Sequence, residues 1–454
     1  MKSIYSKNRS ILSLITLLFL TSVTCVAQQL TKQEAIRLTL ENNFGILIAT
    51  NNIEVAKNNK NILNSGYLPT LTGNAGADYE QSTTIVSFDG AVDDQGIPIP
   101  DNEQRGVETK RYNASLNLAY TLFDGLGRYY NYKIFKEQYN LSELQARETI
   151  ENTILQLFSV YYEVARLSEN LNILEETLTI SQERVIRAGY LFEYGQDTKL
   201  GVLNAQVDVA NDSINVLNAR QQLISAKRDL NVILNEEIEK TFEVDTIVQF
   251  VSGLQLDEYA SLYAKNNVTL LQNETNQRIS DYDIKVSKSG YLPTVGLTGS
   301  YGWNESRNPQ GAFFPSNIND NIALSAGISL SWNLFDGGGT ITGVKNAKIA
   351  LENQEIAKKQ VEAEVKRDVA NAIGDYENLL TIFKIQQQNV LTNQNNFERS
   401  KEQFKLGQIT SIEFRQAQIN LINAQTNLNF AKYNAKISEL QLLQLTGQLL
   451  NVEF

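Results

Sequence analysis

Histidine is absent from all 454 residues, and the single cysteine is Cys25. That removes imidazole and thiolate chemistry, and with it most zinc sites and every Ser-His-Asp or Cys-His arrangement. No glycine-rich loop ends in Gly-Lys-Ser or Gly-Lys-Thr, so a nucleotide phosphate has no cradle. What remains for acid–base work is carboxylate, but the 51 Asp and Glu are dispersed over helical faces and form no paired cluster. A carboxylate hydrolase is thus permitted by composition and supported by no spacing; no enzymatic role and no cofactor are expected.

At the start of the chain Lys2, Lys7 and Arg9 precede an apolar run over 11–20, and Cys25-Val26-Ala27 offers small residues where a signal peptidase reads. Residues 1–27 read as a secretory leader cut before Gln28, too short for a spanning helix. Lipidation of Cys25 is the rival, although Ser22-Val23-Thr24 is a poor match to a lipidation signal. Losing those three basic residues takes the formal charge from −11 to −14. Such an acidic balance argues against nucleic acid or anionic lipid as a partner.

The elements that must position any functional group occur twice. Ser65-Gly66-Tyr67-Leu68-Pro69-Thr70 returns as Ser289-Gly290-Tyr291-Leu292-Pro293-Thr294, and Leu122-Phe123-Asp124-Gly125 as Leu334-Phe335-Asp336-Gly337. Asn42-Asn43 matches Asn266-Asn267, Gly195-Gln196 matches Gly407-Gln408, and Ala205-Gln206 matches Ala417-Gln418. The chain is read as a duplicated helix, β-hairpin, helix, helix unit, with copies at 28–240 and 254–454 and an extended connector at 241–253. Strands are expected at 71–79, 112–123, 295–303 and 322–335, with polar loops at 87–108 and 304–320. In the second strand of each copy apolar residues alternate without a break, Tyr112 to Leu122 and Ile322 to Leu334. Each such strand has one apolar and one small, polar face, which suits either a half-buried soluble sandwich or a membrane barrel wall.

All six prolines fall in or beside the strand regions, so helix is free to run elsewhere. The stretch 129–188 also lacks glycine; roughly 60 residues at about 1.5 Å each make a rod on the order of 90 Å. Ile150, Ile154, Leu157, Tyr161, Val164, Ser168 and Leu171 step by four and three, as a coiled-coil seam does. Val202, Ala205, Val209, Asp212, Val216, Ala219 and Leu223 repeat the rhythm, and Phe414, Ala417, Leu421, Ala424, Leu428, Ala431 and Ala435 follow it in the second copy. Gly195-Gln196 and Gly407-Gln408 then mark two helical hairpin tips, with Thr198 and Thr410 placed to cap the returning helices.

Four strands cannot close a barrel, for which about eight is the usual minimum. Two copies would supply eight and three would supply twelve. With its duplicated layout, its Tyr-Leu-Pro-Thr strand starts, its Leu-Phe-Asp-Gly strand exits and its Gly-Gln tips, the mature chain resembles the TolC-like outer-membrane efflux channels over nearly its whole length. The resemblance implies a mainly α fold with β: a homotrimer with a twelve-stranded outer-membrane β-barrel continued by a periplasmic α-helical barrel. It implies docking of the tips on a periplasmic adaptor protein linked to an inner-membrane pump, contact with outer-membrane lipid, and passive passage of small molecules or polypeptides. It also implies a pore constriction near the tips, where Glu413 matches an acidic position of the family; Gly201 and Gln416 depart from the pattern. Asp197 is a second tip carboxylate. The competing reading is a secreted, soluble coiled-coil scaffold or adaptor.

Overall fold

The computed structural model describes residues 29–310 and 315–452. The expected leader, and with it the lipidation alternative at Cys25, lies outside the described residues. In chain order the first copy holds β1 (Gln29–Leu30), α1 (Lys32–Asn42), α2 (Phe44–Asn59), β2 (Thr70–Val86), β3 (Asn102–Asp124), α3 (Gly127–Glu193) and α4 (Lys199–Leu234). After β4 (Glu243–Val244) come α5 (Gly253–Ser261), α6 (Tyr263–Asn266), α7 (Val268–Ser289), β5 (Thr294–Asn308), β6 (Asn317–Ser331), α8 (Gly339–Lys405) and α9 (Ser411–Leu445). Both long helices, α3 and α8, have 67 residues. The described residues form two compact units, one from residues 29–51, 144–272 and 359–452 and the other from 52–143 and 273–358.

The second unit contains a four-stranded antiparallel sheet in the order β2-β3-β5-β6. Register turns the alternation of single strands into two continuous faces. Gly73, Leu116, Tyr301 and Leu324 lie in one row, and Leu71, Leu118, Gly299 and Ala326 in another, all on the apolar side. Between them runs the row Thr72, Asn117, Ser300 and Ser325 on the opposite side, where Ser300 Oγ donates to Asn117 Oδ1 at 2.8 Å. Neither face is covered: Leu324 is 81% exposed on the apolar side, and β2 and β6 are almost wholly exposed.

The strands outrun the expected limits at the loop end. β3 begins at Asn102, so the loop expected over 87–108 shrinks to 87–101, and the second loop narrows to 309–316. Charged and polar residues there, such as Glu80, Glu103 and Asn317, carry no alternation signal, yet cross-strand pairing continues through them. At the other end β6 stops at Ser331 rather than at 335. Its partner β5 starts at Thr294, opposite Ser331, so Trp332 to Phe335 have no neighbour in the sheet; β3 reaches Asp124 because β5 still pairs with it there.

The repeated motifs have physical causes. Asp124 Oδ2 accepts the Arg128 backbone N–H at 2.9 Å, and Asp336 Oδ2 accepts that of Thr340 at 2.7 Å, so the Asp of Leu-Phe-Asp-Gly is an anion at the start of each long helix. Gly125 has φ +68°, and a Cβ there would meet the Ser289 carbonyl oxygen at 2.5 Å. Asn43 Nδ2 donates to Ile233 O at 3.0 Å, and its equivalent Asn267 donates to Leu445 O at 2.9 Å. Each asparagine therefore ties a helix break to the orphan carbonyls at the end of a returning helix.

In the first unit the seam positions Ile154, Leu157, Tyr161 and Val164 are buried, joined by Phe158, Tyr162 and Ala165, so the buried stripe is wider than a two-per-heptad seam. They pack with Leu230 and Leu234 of α4, with Tyr433, Leu440 and Leu443 of α9, and with Phe242 and Val244 of the connector. The connector is held by polar groups. Val244 pairs with Leu30, the Tyr161 hydroxyl donates to Leu30 O at 2.7 Å and accepts from the Asp245 N–H at 2.9 Å, and Glu439 accepts from the Val251 N–H at 3.0 Å. Glu439 is fully buried, 2.5 Å from Lys436 Nζ and 3.2 Å from the Tyr376 hydroxyl. Burial lowers the Lys436 pKa, with Glu439 opposing.

Glu439→Ala leaves the buried Lys436 ammonium with the Gln249 carbonyl, 2.7 Å away, but removes its counter-charge, so a loss of roughly 3–5 kcal/mol is expected. Thermal unfolding followed by circular dichroism should show the midpoint drop, and adding Lys436→Met should recover most of it. An unchanged midpoint in Glu439→Ala would mean the pair is not holding the connector.

Candidate functional site at the helical tips

Both helical hairpins turn by the same backbone device. Gln196 N–H donates to Leu191 O at 2.8 Å and Gly195 N–H to Phe192 O at 3.0 Å; Gln408 and Gly407 repeat this on Gln403 O at 2.8 Å and Phe404 O at 3.1 Å. These paired bonds close a helix only when the residue after the cap is left-handed, which Gly195 at φ +73° and Gly407 at φ +74° supply without strain. Thr198 Oγ1 accepts the Gly201 N–H at 3.3 Å, and Thr410 Oγ1 accepts that of Glu413 at 3.2 Å. All six predicted tip residues, Gly195, Gln196, Thr198, Gly407, Gln408 and Thr410, thus lie in the two turns or at the helix starts that follow them.

The tip carboxylates occupy different places in the two copies. Glu413 closes a capping box: its Oε2 accepts from the Thr410 N–H at 2.8 Å and the Thr410 hydroxyl at 2.9 Å. Those bonds, the backbone one first, lower its pKa below the ordinary 4.5. The box is therefore intact above the unfolded value and is lost only as pH falls through the depressed folded one. In the first copy the capping position holds Gly201, and the carboxylate is Asp197, whose Oδ1 accepts the Thr198 N–H at 2.7 Å. A Cβ on Gly201 would sit 2.4 Å from Asp197 Oδ2, so glycine there makes room for the relocated acid.

Between the two tips is a groove of about 960 Å³, lined by Gln196, Asp197 and Thr198 from one and by Gly407, Ile409 and Thr410 from the other. Glu413 does not line it. Leu200 is 64% exposed, Leu406 71% and Ile412 71% around its rim.

The wall of the groove includes a set of charges that sequence reasoning did not assign. Arg415 of α9 forks onto Asp212 of α4 at 2.7 and 2.8 Å, and the Ser181 hydroxyl of α3 donates to the same carboxylate at 2.6 Å. Arg184 donates to Asp208 at 3.0 Å and to Ser411 Oγ at 2.8 Å; Arg187 donates to the Phe404 and Lys405 carbonyls at 3.2 and 2.8 Å, a cation on the C-terminus of α8. Phe397, Phe404 and Phe414 stack below, with ring centroids 5.5 and 4.9 Å apart. Burial lowers the Arg184 pKa, with Asp208 opposing. Only Asp212 had a signal in the sequence, as a charge in an apolar seam. Three of the four buried side-chain polar atoms without a partner among the described residues are Nε of Arg184, Arg187 and Arg415. Of these, Arg415 Nε still lies 3.7 Å from Asp208 Oδ1.

Long helices bracketing an open four-stranded sheet define a class, the outer-membrane channel fold. The crystal structure of the Campylobacter jejuni CmeC outer membrane channel superposes with a TM-score of 0.71 at 16% identity, covering 92% of this chain and 86% of that one. By sequence the chain is 23% identical to outer membrane protein TolC of Vibrio cholerae, covering 78% of this chain and 81% of that protein. It is 21% identical to the outer membrane efflux protein BepC of Brucella suis, covering 84% and 86%. The family described as outer membrane efflux protein matches residues 35–236 and 260–448, and the chain belongs to it. It is an outer-membrane channel protein for efflux or secretion, which displaces the soluble scaffold reading.

Arg415→Met leaves Asp212 buried with only Ser181. Hydrogen exchange at the tips should rise while exchange at the Tyr161 core stays unchanged. A double-mutant cycle of Arg415→Met with Asp212→Asn should give a coupling of roughly 1–3 kcal/mol; a coupling near zero would show that the clamp does not join the hairpins.

Proposed function

We propose that the protein is the outer-membrane component of a tripartite efflux or type I secretion assembly, working as a homotrimer through which cargo passes unchanged. Its two efflux repeats span 28–240 and 254–454, with the connector at 241–253. The observation that carries this reading is the sheet: two uncovered faces, one apolar and one polar, and two long edges without partners. β2 and β6 run in opposite directions, so β6 of one copy can pair with β2 of the next antiparallel, as every other pair in the sheet does. Three copies make a twelve-stranded barrel with its apolar side to lipid and its polar side to the lumen. The helices continue it into the periplasm as an α-barrel.

The tips are the docking point for a periplasmic adaptor, itself bound to an inner-membrane pump. The groove between Gly195-Gln196-Thr198 and Gly407-Gln408-Thr410, with Leu200, Leu406 and Ile412 on its rim, suits an apolar helix end carrying a few hydrogen-bond acceptors. Three copies of Glu413, supported by Asp197, form an acidic constriction that favours cations and helps hold the resting pore shut.

Two measurements test this. Cysteines placed on the β2 and β6 edges would be the only thiols of a chain cleaved after residue 27, and oxidation should give a covalent ladder ending at trimer on denaturing gels. A ladder ending at dimer overturns the trimer, and no ladder at all overturns the barrel. Glu413→Gln keeps the capping box, since glutamine serves at that position, but removes the charge. Planar-bilayer recordings should then show reduced cation selectivity and more frequent opening; unchanged behaviour in both respects eliminates the ring.

A further inference from the structure

Charge is distributed unevenly around the sheet. The chain carries −11 overall, yet the four passages by which it enters or leaves the sheet at the helical end are basic. Residues 57–69 hold Lys57 and Lys60, 126–139 hold Arg128, Lys133 and Lys136 against Glu137, 284–293 hold Lys285 and Lys288, and 337–350 hold Lys345 and Lys348; of these, Lys57, Arg128 and Lys285 are ion-paired with Glu54, Asp124 and Asp281 just outside those stretches. At the loop end the balance reverses, with seven acids and one arginine over 80–108. Two of the lysines are duplicated: in the alignment that matches Phe123 with Phe335 and Gly195 with Gly407, Lys133 matches Lys345 and Lys136 matches Lys348.

Part of this collar forms a pocket. A cavity of about 330 Å³ is lined by Lys60, Lys133 and Lys136 together with Tyr132, Tyr139 and Tyr282. Lys136 Nζ lies 4.4 Å from the Tyr132 ring centroid, and Lys60 stands over the Tyr139 ring. Among the described residues none of the three lysines is in an ion pair. The acid in the lining, Glu137, is instead engaged by Arg278 at 3.0 Å. The pocket therefore gathers three ammonium groups beside phenol rings about two helical turns beyond the end of the sheet.

From this we infer that the Lys60–Lys133–Lys136 pocket binds the phosphate of an anionic phospholipid headgroup in the leaflet facing the helices. The proposal rests on the reading that the sheet spans the membrane. Ammonium groups supply charge and hydrogen bonds to phosphate oxygens, and phenols at the water–hydrocarbon boundary pack along the glycerol region. A basic collar at one end of the sheet and an acidic one at the other also orient the protein across the bilayer. A site for free phosphate would give no reason for lysines to recur outside the pocket, as Lys288, Lys345 and Lys348 do in the other two crossings.

The test uses the full-length protein reconstituted in nanodiscs of phosphatidylcholine containing a minority of phosphatidylglycerol, with lipid retention read by native mass spectrometry after release into detergent. Wild type should retain phosphatidylglycerol in preference to phosphatidylcholine. The triple variant Lys60→Gln/Lys133→Gln/Lys136→Gln should lose at least about tenfold of that preference, given roughly a fivefold effect for each basic residue at an anionic surface. The triple Lys→Arg variant, which keeps the charge, should restore it and controls for misfolding. Equal retention by wild type and the Gln variant, with oligomer and conductance intact, overturns the lipid site and leaves the channel reading standing. Displacement of the lipid by millimolar inorganic phosphate also overturns it, in favour of a free-anion site. Failure of wild type to insert into any nanodisc overturns the membrane reading itself.

Discussion

A strand edge in hydrocarbon has no water to fall back on, and each unpaired N–H or C=O there costs several kcal/mol. The described sheet ends in two long edges, β2 and β6, of 17 and 15 residues, which in the proposed barrel would meet that condition. Most other features of the second unit follow from what those edges need. An even number of antiparallel strands makes the first and last run in opposite directions, so copies can join without a parallel seam. Alternating faces depend on register: the pairing between β5 and β6 runs without a shift from Thr294 to Asn308, and the shifts in the other two pairs lie towards strand ends, between Ser82 and Thr84 and between Thr121 and Phe123.

The helical unit answers a different requirement. Seams rich in alanine, such as Ala417, Ala424, Ala431 and Ala435, let helices approach closely but specify register weakly, since one small residue looks like the next. Polar pairs placed among them add the missing specificity. Lys436–Glu439 and Arg415–Asp212 are both buried, yet they differ in completeness. Around Glu439 one carboxylate serves an ammonium, a phenol and a backbone N–H. Around Arg415 three guanidinium Nε atoms lack acceptors. A satisfied network rigidifies its surroundings, whereas one with missing partners marks a region of lower local stability.

Much of this was legible in the sequence, and the reasons are local. Alternation from Tyr112 to Leu122, seams such as Val202 to Val216, and the tip glycines each express a rule acting within a few residues. What escaped depends on neighbours. Strand ends at the loops are set by cross-strand pairing of polar residues, and the early stop of β6 is set by where β5 begins. The clamp under the tips joins Arg184 and Arg187 to residues more than 200 positions away, and nothing near an arginine announces its partner. Glu413 was legible as a tip acid, but its capping box required the spacing Thr410 to Glu413 to be read as a helix start. The glycine at 201, which looked like a departure from pattern, is the consequence of Asp197 folding over the first turn.

Internal duplication separates what each half must do from what only one half does. Both copies keep the asparagine tie at Asn43 and Asn267, the aspartate helix start at Asp124 and Asp336, the left-handed glycine at Gly195 and Gly407, and the lysine pair after the sheet. These are scaffold functions, needed wherever a hairpin leaves the sheet or a helix turns back. The copies diverge at the tip carboxylate, which follows Thr410 by three residues in one and precedes Thr198 in the other. Two hairpins that share every structural device but present their charge at different points cannot be equivalent to a partner or to a permeating ion. In the trimer proposed above, two kinds of tip would alternate around the ring, and the difference between them would lie in the carboxylates rather than in the shared scaffold.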